Sequence, residues 1–131
     1  MANKNNTSFP SCTVTITLTP EARNFLAGTT AGVSHFAIYN DLLDNMAIVD
    51  TSFSKRGNIV PLLTGQAESS AHSMSERWKL GRKSMVRILS TMDDLGIIRL
   101  HTSRLASISD MLSVDKCQTN DGDICYPDFS N

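Results

Sequence analysis

The sequence predicts a mainly α chain with a small antiparallel β-sheet. Met85, Ile88, Leu89, Met92 and Leu95 recur at helical spacing and make one apolar stripe. A shorter helical pattern, with Met74 and Trp78 four residues apart, precedes it across the turn Lys79-Leu80-Gly81. Alternation of apolar and polar residues is confined to short stretches, chiefly 13–18, where it is strict, and 97–101.

Residues 1–12 are polar, Asn-rich and carry Pro10, the composition of a disordered tail. Residues 13–32 hold a strand and a short helix. In the strand Val14, Ile16 and Leu18 share one face. Thr19 then serves as N-cap, Pro20 takes the first helical position and Glu21 the first turn, and Gly28 ends the helix. Small residues at 27–32 read as a loop.

Ser34 caps a helix near 34–46, with Phe36, Tyr39, Leu42, Leu43 and Met46 on one stripe. His35, near its start, is expected to cap or face solvent, since no second ligand is spaced to share a metal with it. Residues 50–58 are polar and end in the turn signal Lys55-Arg56-Gly57-Asn58. Residues 58–63 read as a short strand, placed at a sheet edge by Pro61. Ser69 or Ser70 caps the next helix, whose Met74 and Trp78 are expected in the core.

On the following helix Lys83, Arg87, Ser90 and Asp94 lie opposite the apolar stripe, and Gly96 stops it in the left-handed conformation. Residues 97–101, a turn at 102–104 and a return strand at 105–109 form a hairpin whose polar groups are Arg99, His101 and Arg104. The end of the chain, 110–131, is expected as an acidic solvated tail, though Ile124, Tyr126 and Phe129 could dock on the domain. Aligning Asn120-Asp121-Gly122-Asp123 on a calcium loop puts Cys117 and Thr119 at ligand positions, so no cation site is expected there.

Composition bounds the function. The chain has 131 residues, 40% hydrophobic and 19% charged, which suits one globular domain. No apolar run approaches the roughly 18–20 residues of a membrane span. The N-terminus has no apolar stretch behind it, so a signal peptide is not expected and the chain reads as cytoplasmic. Cys12, Cys117 and Cys125 match no zinc or redox spacing and read as free thiols, with a Cys117–Cys125 bridge left open. Nucleophile, phosphate-loop and zinc-helix motifs are missing, so the chain is not expected to be an enzyme or to carry a cofactor or metal.

Net charge is −1, but it is unevenly spread. Residues 77–104 carry seven cations against Asp93 and Asp94, a local +5 that leaves −6 for the rest of the chain. Arg82 and Lys83 sit in the first turn of their helix, where cations oppose the dipole at about 0.3–1 kcal/mol each. A local rule broken without gain to folding points to function, and a polyanion against the helix start would explain it.

A helix, a tight turn, a second helix with a basic start and then a strand is the layout of a helix-turn-helix. The run Trp78-Lys-Leu-Gly-Arg-Lys-Ser-Met-Val-Arg-Ile-Leu89, continued by Leu95-Gly-Ile-Ile98, resembles the winged helix-turn-helix of bacterial regulators. Arg56-Gly-Asn-Ile-Val60 and Leu63-x-Gly65-Gln66 resemble the lead-in of phage and plasmid replication-organiser domains. The resemblance covers 33–109 and implies a winged helix-turn-helix domain there. It departs at Gly81, where Ser or Thr usually caps the recognition helix.

Resemblance and helix geometry together imply sequence-selective binding of duplex DNA, in transcription regulation or mobile-element replication. Lys83, Ser84 and Arg87 would face base edges. Arg77, Lys79 and Arg82 would hold phosphates, and Arg99 and Arg104 would contribute from the hairpin. The other reading is a protein-interaction module, with 13–18 pairing to its copy in a homodimer.

Overall fold

The computed structural model describes residues 12–129. The tail expected over 1–12 lies outside the described residues, except Cys12, which opens the first strand. In chain order the elements are β1 (Cys12–Ile16), α1 (Pro20–Leu26), β2 (Thr29–Thr30), β3 (Val33–Ser34), α2 (His35–Asp44), β4 (Thr51–Lys55), β5 (Asn58–Leu62) and β6 (Gln66–Glu68). They continue with α3 (Ala71–Trp78), α4 (Arg82–Asp94), β7 (Arg99–Thr102), β8 (Ser107–Asp110), β9 (Val114–Thr119) and β10 (Ile124–Cys125).

Helix boundaries follow local chemistry. The Thr19 hydroxyl accepts from Ala22 N–H with Pro20 at the first helical position. Ser34 and Ser70 cap α2 and α3 in the same way, accepting from Ala37 and Ser73 N–H. Gly96, at φ 74°, ends α4. Gly96 N–H bonds the Asp93 carbonyl and Ile97 N–H bonds that of Met92, which satisfies two carbonyls the helix leaves open.

The core gathers around α2, where Ile38, Tyr39 and Leu42 are buried. Met74 of α3 joins it, with Met85, Ile88, Leu89 and Met92 of α4 and then Ile97, Ile98 and Met111. Burying one such side chain is worth roughly 1.5–3 kcal/mol. Four of them on α4 outweigh the cost of two cations in its first turn, so packing rather than helix electrostatics holds α4. The Tyr39 hydroxyl meets the Ser113 hydroxyl at 2.6 Å inside the core.

The expectation of a mainly α winged helix-turn-helix is overturned. Helix and strand each take 32% of the described residues, and the strands form four separate antiparallel sheets. The sheets are β1-β9-β10, β2-β3, β4-β5 and β6-β8-β7. The sequence signal underestimates strand because several strands are short, polar and half-exposed. In β4, Thr51-Ser-Phe-Ser-Lys55, the only apolar residue is Phe53, yet it pairs in full register with β5 from Thr51↔Leu62 to Lys55↔Asn58. Pro61 is tolerated because β5 lies at the edge of that two-stranded sheet.

The end of the chain also differs from the solvated tail expected of it. Residues Val114–Thr119 form the middle strand β9, paired with β1 on one side and β10 on the other. Cys125 lies opposite Cys117 in that ladder, and the two form a disulfide with a Cα–Cα distance of 5.3 Å. These two are therefore not free thiols, whereas Cys12 is free and half-buried. Strand register, which no cysteine spacing reveals, decides the pairing.

Beyond β10 the chain crosses Gly65. That residue has φ 89°, and a Cβ there would lie 2.5 Å from Pro127 Cβ and 2.7 Å from Phe129 Cζ. Only glycine suits both the conformation and the contact.

Candidate nucleic-acid interface

The residues that can meet a polyanion lie on the α3–α4 turn, the outer face of α4 and the β7–β8 tip. Lys79 ends α3 in the left-handed conformation, φ 56°. Gly81 is the N-cap of α4 and supplies no side-chain bond, so the first-turn N–H groups have no side-chain cap. Arg82, Lys83, Val86, Arg87 and Ser90 are exposed on α4. Lys83 and Arg87 are one turn apart on the side opposite the buried stripe. Ser84 is half-buried instead, and lines a cleft of about 140 Å³ with Phe25, Thr30, Arg87, Ile88 and Thr91. Arg104 is exposed on the turn between β7 and β8.

Two of the expected phosphate ligands are engaged elsewhere. Arg77 donates to Asp41 Oδ2 from Nε at 3.0 Å and from Nη2 at 2.7 Å. The same oxygen accepts Trp78 Nε1–H at 2.9 Å, so one α2 carboxylate anchors the end of α3. Trp78 is half-buried against the core with its polar edge on Asp41, not free for base stacking. Arg99 donates to Asp110 Oδ2 from Nε at 3.1 Å and to the Phe129 carbonyl from Nη2 at 3.3 Å.

Asp110 is the second hub. Its carboxylate is 5% exposed and takes Gln66 Nε2–H at 2.8 Å on Oδ1. On Oδ2 it takes His101 at 2.9 Å, and since a carboxylate only accepts, His101 Nε2 carries the proton. Burial pushes the Asp110 carboxyl up. Hydrogen bonds from His101, Gln66 and Arg99, with the His101 charge, outweigh that and hold it below the ordinary carboxylate range. His101 is therefore tied to Asp110 although its side chain is 54% exposed.

His35 departs from expectation as well. It is 7% exposed and stacks on Phe25 with ring centroids 4.2 Å apart. Nδ1 lies 2.8 Å from the Phe25 carbonyl, which fixes Nδ1 as donor. Nε2 lies 2.7 Å from the Thr30 hydroxyl. It ties α1 and the β2–β3 hairpin to the start of α2.

After this sorting, Lys79, Arg82, Lys83, Arg87 and Arg104 make no ion pair with any described residue. Asp41 and Asp110 carry no sequence signal of their own. They lie 36 and 11 residues from the arginines they hold. Among the described residues no cluster of His, Cys, Asp or Glu could hold a metal, and no helix is long and apolar enough to cross a membrane. No family model, curated protein or solved structure matches this chain.

Proposed function

We propose that this protein binds duplex DNA, with the outer face of α4 in the major groove and the β7–β8 tip against the backbone. One observation carries the reading. Of the seven cations between residues 77 and 104, five are exposed and make no ion pair with a described residue, while Arg77 and Arg99 are paired internally with Asp41 and Asp110. Lys83 and Arg87 are the base readers in this proposal, and Lys79, Arg82 and Arg104 hold phosphates. Arg77 and Arg99 support the surface without touching DNA. Binding of this kind would serve transcription regulation or replication of a mobile element.

The experiment is a mobility-shift titration on random duplex DNA at low and near-physiological salt. Affinity should fall steeply as salt rises, through counterion release. Absence of binding at low salt, or salt-independent binding, counts against the proposal.

A second reading has one observation in its favour. In the sheet β1-β9-β10 the outer side of β1 pairs with no described strand. An open edge can pair with its copy, which would make the chain an interaction module or homodimer. Analytical ultracentrifugation separates the two: a salt-insensitive dimer that ignores DNA supports the second.

A further inference from the structure

We infer that Arg56, at the tip of the β4–β5 hairpin, is a further phosphate-contacting residue, so that two hairpin tips grip the DNA backbone. The inference rests on the duplex-DNA reading above and adds a site to it.

The Lys55↔Asn58 pair closes β4–β5 around Arg56-Gly57. Lys55 Nζ reaches Glu68 Oε2 at 2.9 Å, which sets the closed end of this hairpin beside the end of β6. That end of β6 is also where the other hairpin turns: Glu68 pairs with Ile108, and Ser69 N–H bonds the Ser107 carbonyl at 2.9 Å. The turn holding Arg104 follows directly, between Thr102 and its partner Ser107. Both turns therefore lie past the same end of β6, and Glu68, the acid between them, is neutralised by Lys55.

Arg56 has φ 53° and Gly57 φ 81°, the pair of positive angles of a two-residue type I′ turn. Asn-Gly is the preferred sequence there, and a long side chain is poorly suited to the first position. Folding gains little in return. Arg56 makes no ion pair with a described residue, and its backbone carbonyl, not its side chain, accepts from Asn58 Nδ2 at 3.3 Å. Nothing lies within 4 Å of the position a Cβ on Gly57 would take, so the tip stands in the open. An exposed guanidinium where asparagine would turn better, past the same end of β6 as a second arginine turn, fits a backbone phosphate.

The test uses the full chain and random duplex DNA at four salt concentrations. The variants are Arg56→Asn, Arg104→Ala, their double variant, Arg87→Ala on α4, and Lys116→Ala as a control cation on β9. Arg56→Asn keeps or improves the turn, so its melting temperature should not fall. Each single change should lower the slope of log affinity against log salt by about one unit and the double by about two. Lys116→Ala should leave the slope unchanged. A wild-type slope in Arg56→Asn overturns this inference, while losses in Arg87→Ala and Arg104→Ala would leave the α4 reading standing. An affinity loss with unchanged slope also overturns it, since turn shape and not charge would then be responsible. If the wild type binds no duplex at low salt, both the inference and the reading fall.

Discussion

Trp78 and Asp41 stand 37 residues apart, and the indole N–H of one donates to the carboxylate of the other at 2.9 Å. The same oxygen takes both Arg77 contacts, and Asp41 Oδ1 accepts from Asn45 at 3.1 Å. The carboxylate thus fixes the end of α3, and with it the turn that presents Lys79 and aims α4.

Asp41→Ala should therefore act twice. It leaves a half-buried indole N–H without its acceptor, at about 1–3 kcal/mol, and a thermal melt should show a drop of several degrees. It also frees Arg77, whose cation can then join the exposed set. Affinity for random DNA at low salt should rise, or fall less than stability does. A variant melting like wild type would show that water replaces Asp41 at no cost.

Asp110 predicts a pH dependence. Its folded pKa is lowered, so its contribution to stability is fully present above the unfolded carboxylate value of about 3.9 and is lost as pH falls through the folded value. Melting temperature should drop as pH is lowered below about 4. Asp110→Asn should melt lower than wild type at neutral pH, by on the order of 1–3 kcal/mol. The two should converge in acid, where the wild-type carboxyl is also neutral. A constant gap from neutral to acid pH would show that charge is not what Asp110 contributes.

These two hubs mark the limit of what the sequence discloses. The helices around the predicted interface were legible because their signals are local. The α4 stripe repeats within one helix, Thr19 caps three residues ahead, and Gly96 announces its own stop. Arg77 and Arg99 counted as free cations in the sequence because their acids are brought to them by the fold. The strands β4 and β9 escaped for another reason. Their residues are mostly Thr, Ser and charged types, so alternation is weak, and β9 pairs with β1 residues up to 107 positions away. The Cys117–Cys125 bridge depends on that same register.

The bridge closes a loop of sequence separation 8 between β9 and β10. By chain entropy such a loop stabilises by about 2.5 kcal/mol, which for a chain of this size is roughly 10 °C in melting temperature. Excess dithiol reductant should lower the melt by about that much, and a Cys117→Ser, Cys125→Ser double variant should melt at the reduced value whether or not reductant is present. Melting that ignores reductant would mean the thiols are not paired in solution.

The last prediction separates reading from holding. Lys83 and Arg87 face out from α4, one turn apart, and their guanidinium and ammonium groups have no described partner to release before they engage a base. A bidentate arginine contact to guanine gives about 1–3 kcal/mol of discrimination against the wrong base. Arg104, exposed on a hairpin turn beyond the helix, is proposed to touch backbone, which is the same in every sequence. A preferred site selected from random duplexes allows the comparison. Arg87→Ala should weaken binding to that site by about 5–100-fold more than binding to a scrambled duplex. Arg104→Ala should weaken both alike. Melting temperature should hold in both variants, because neither side chain is in the core. Equal losses on the two duplexes for Arg87→Ala would remove its assignment as a base reader and leave α4 a backbone-binding helix.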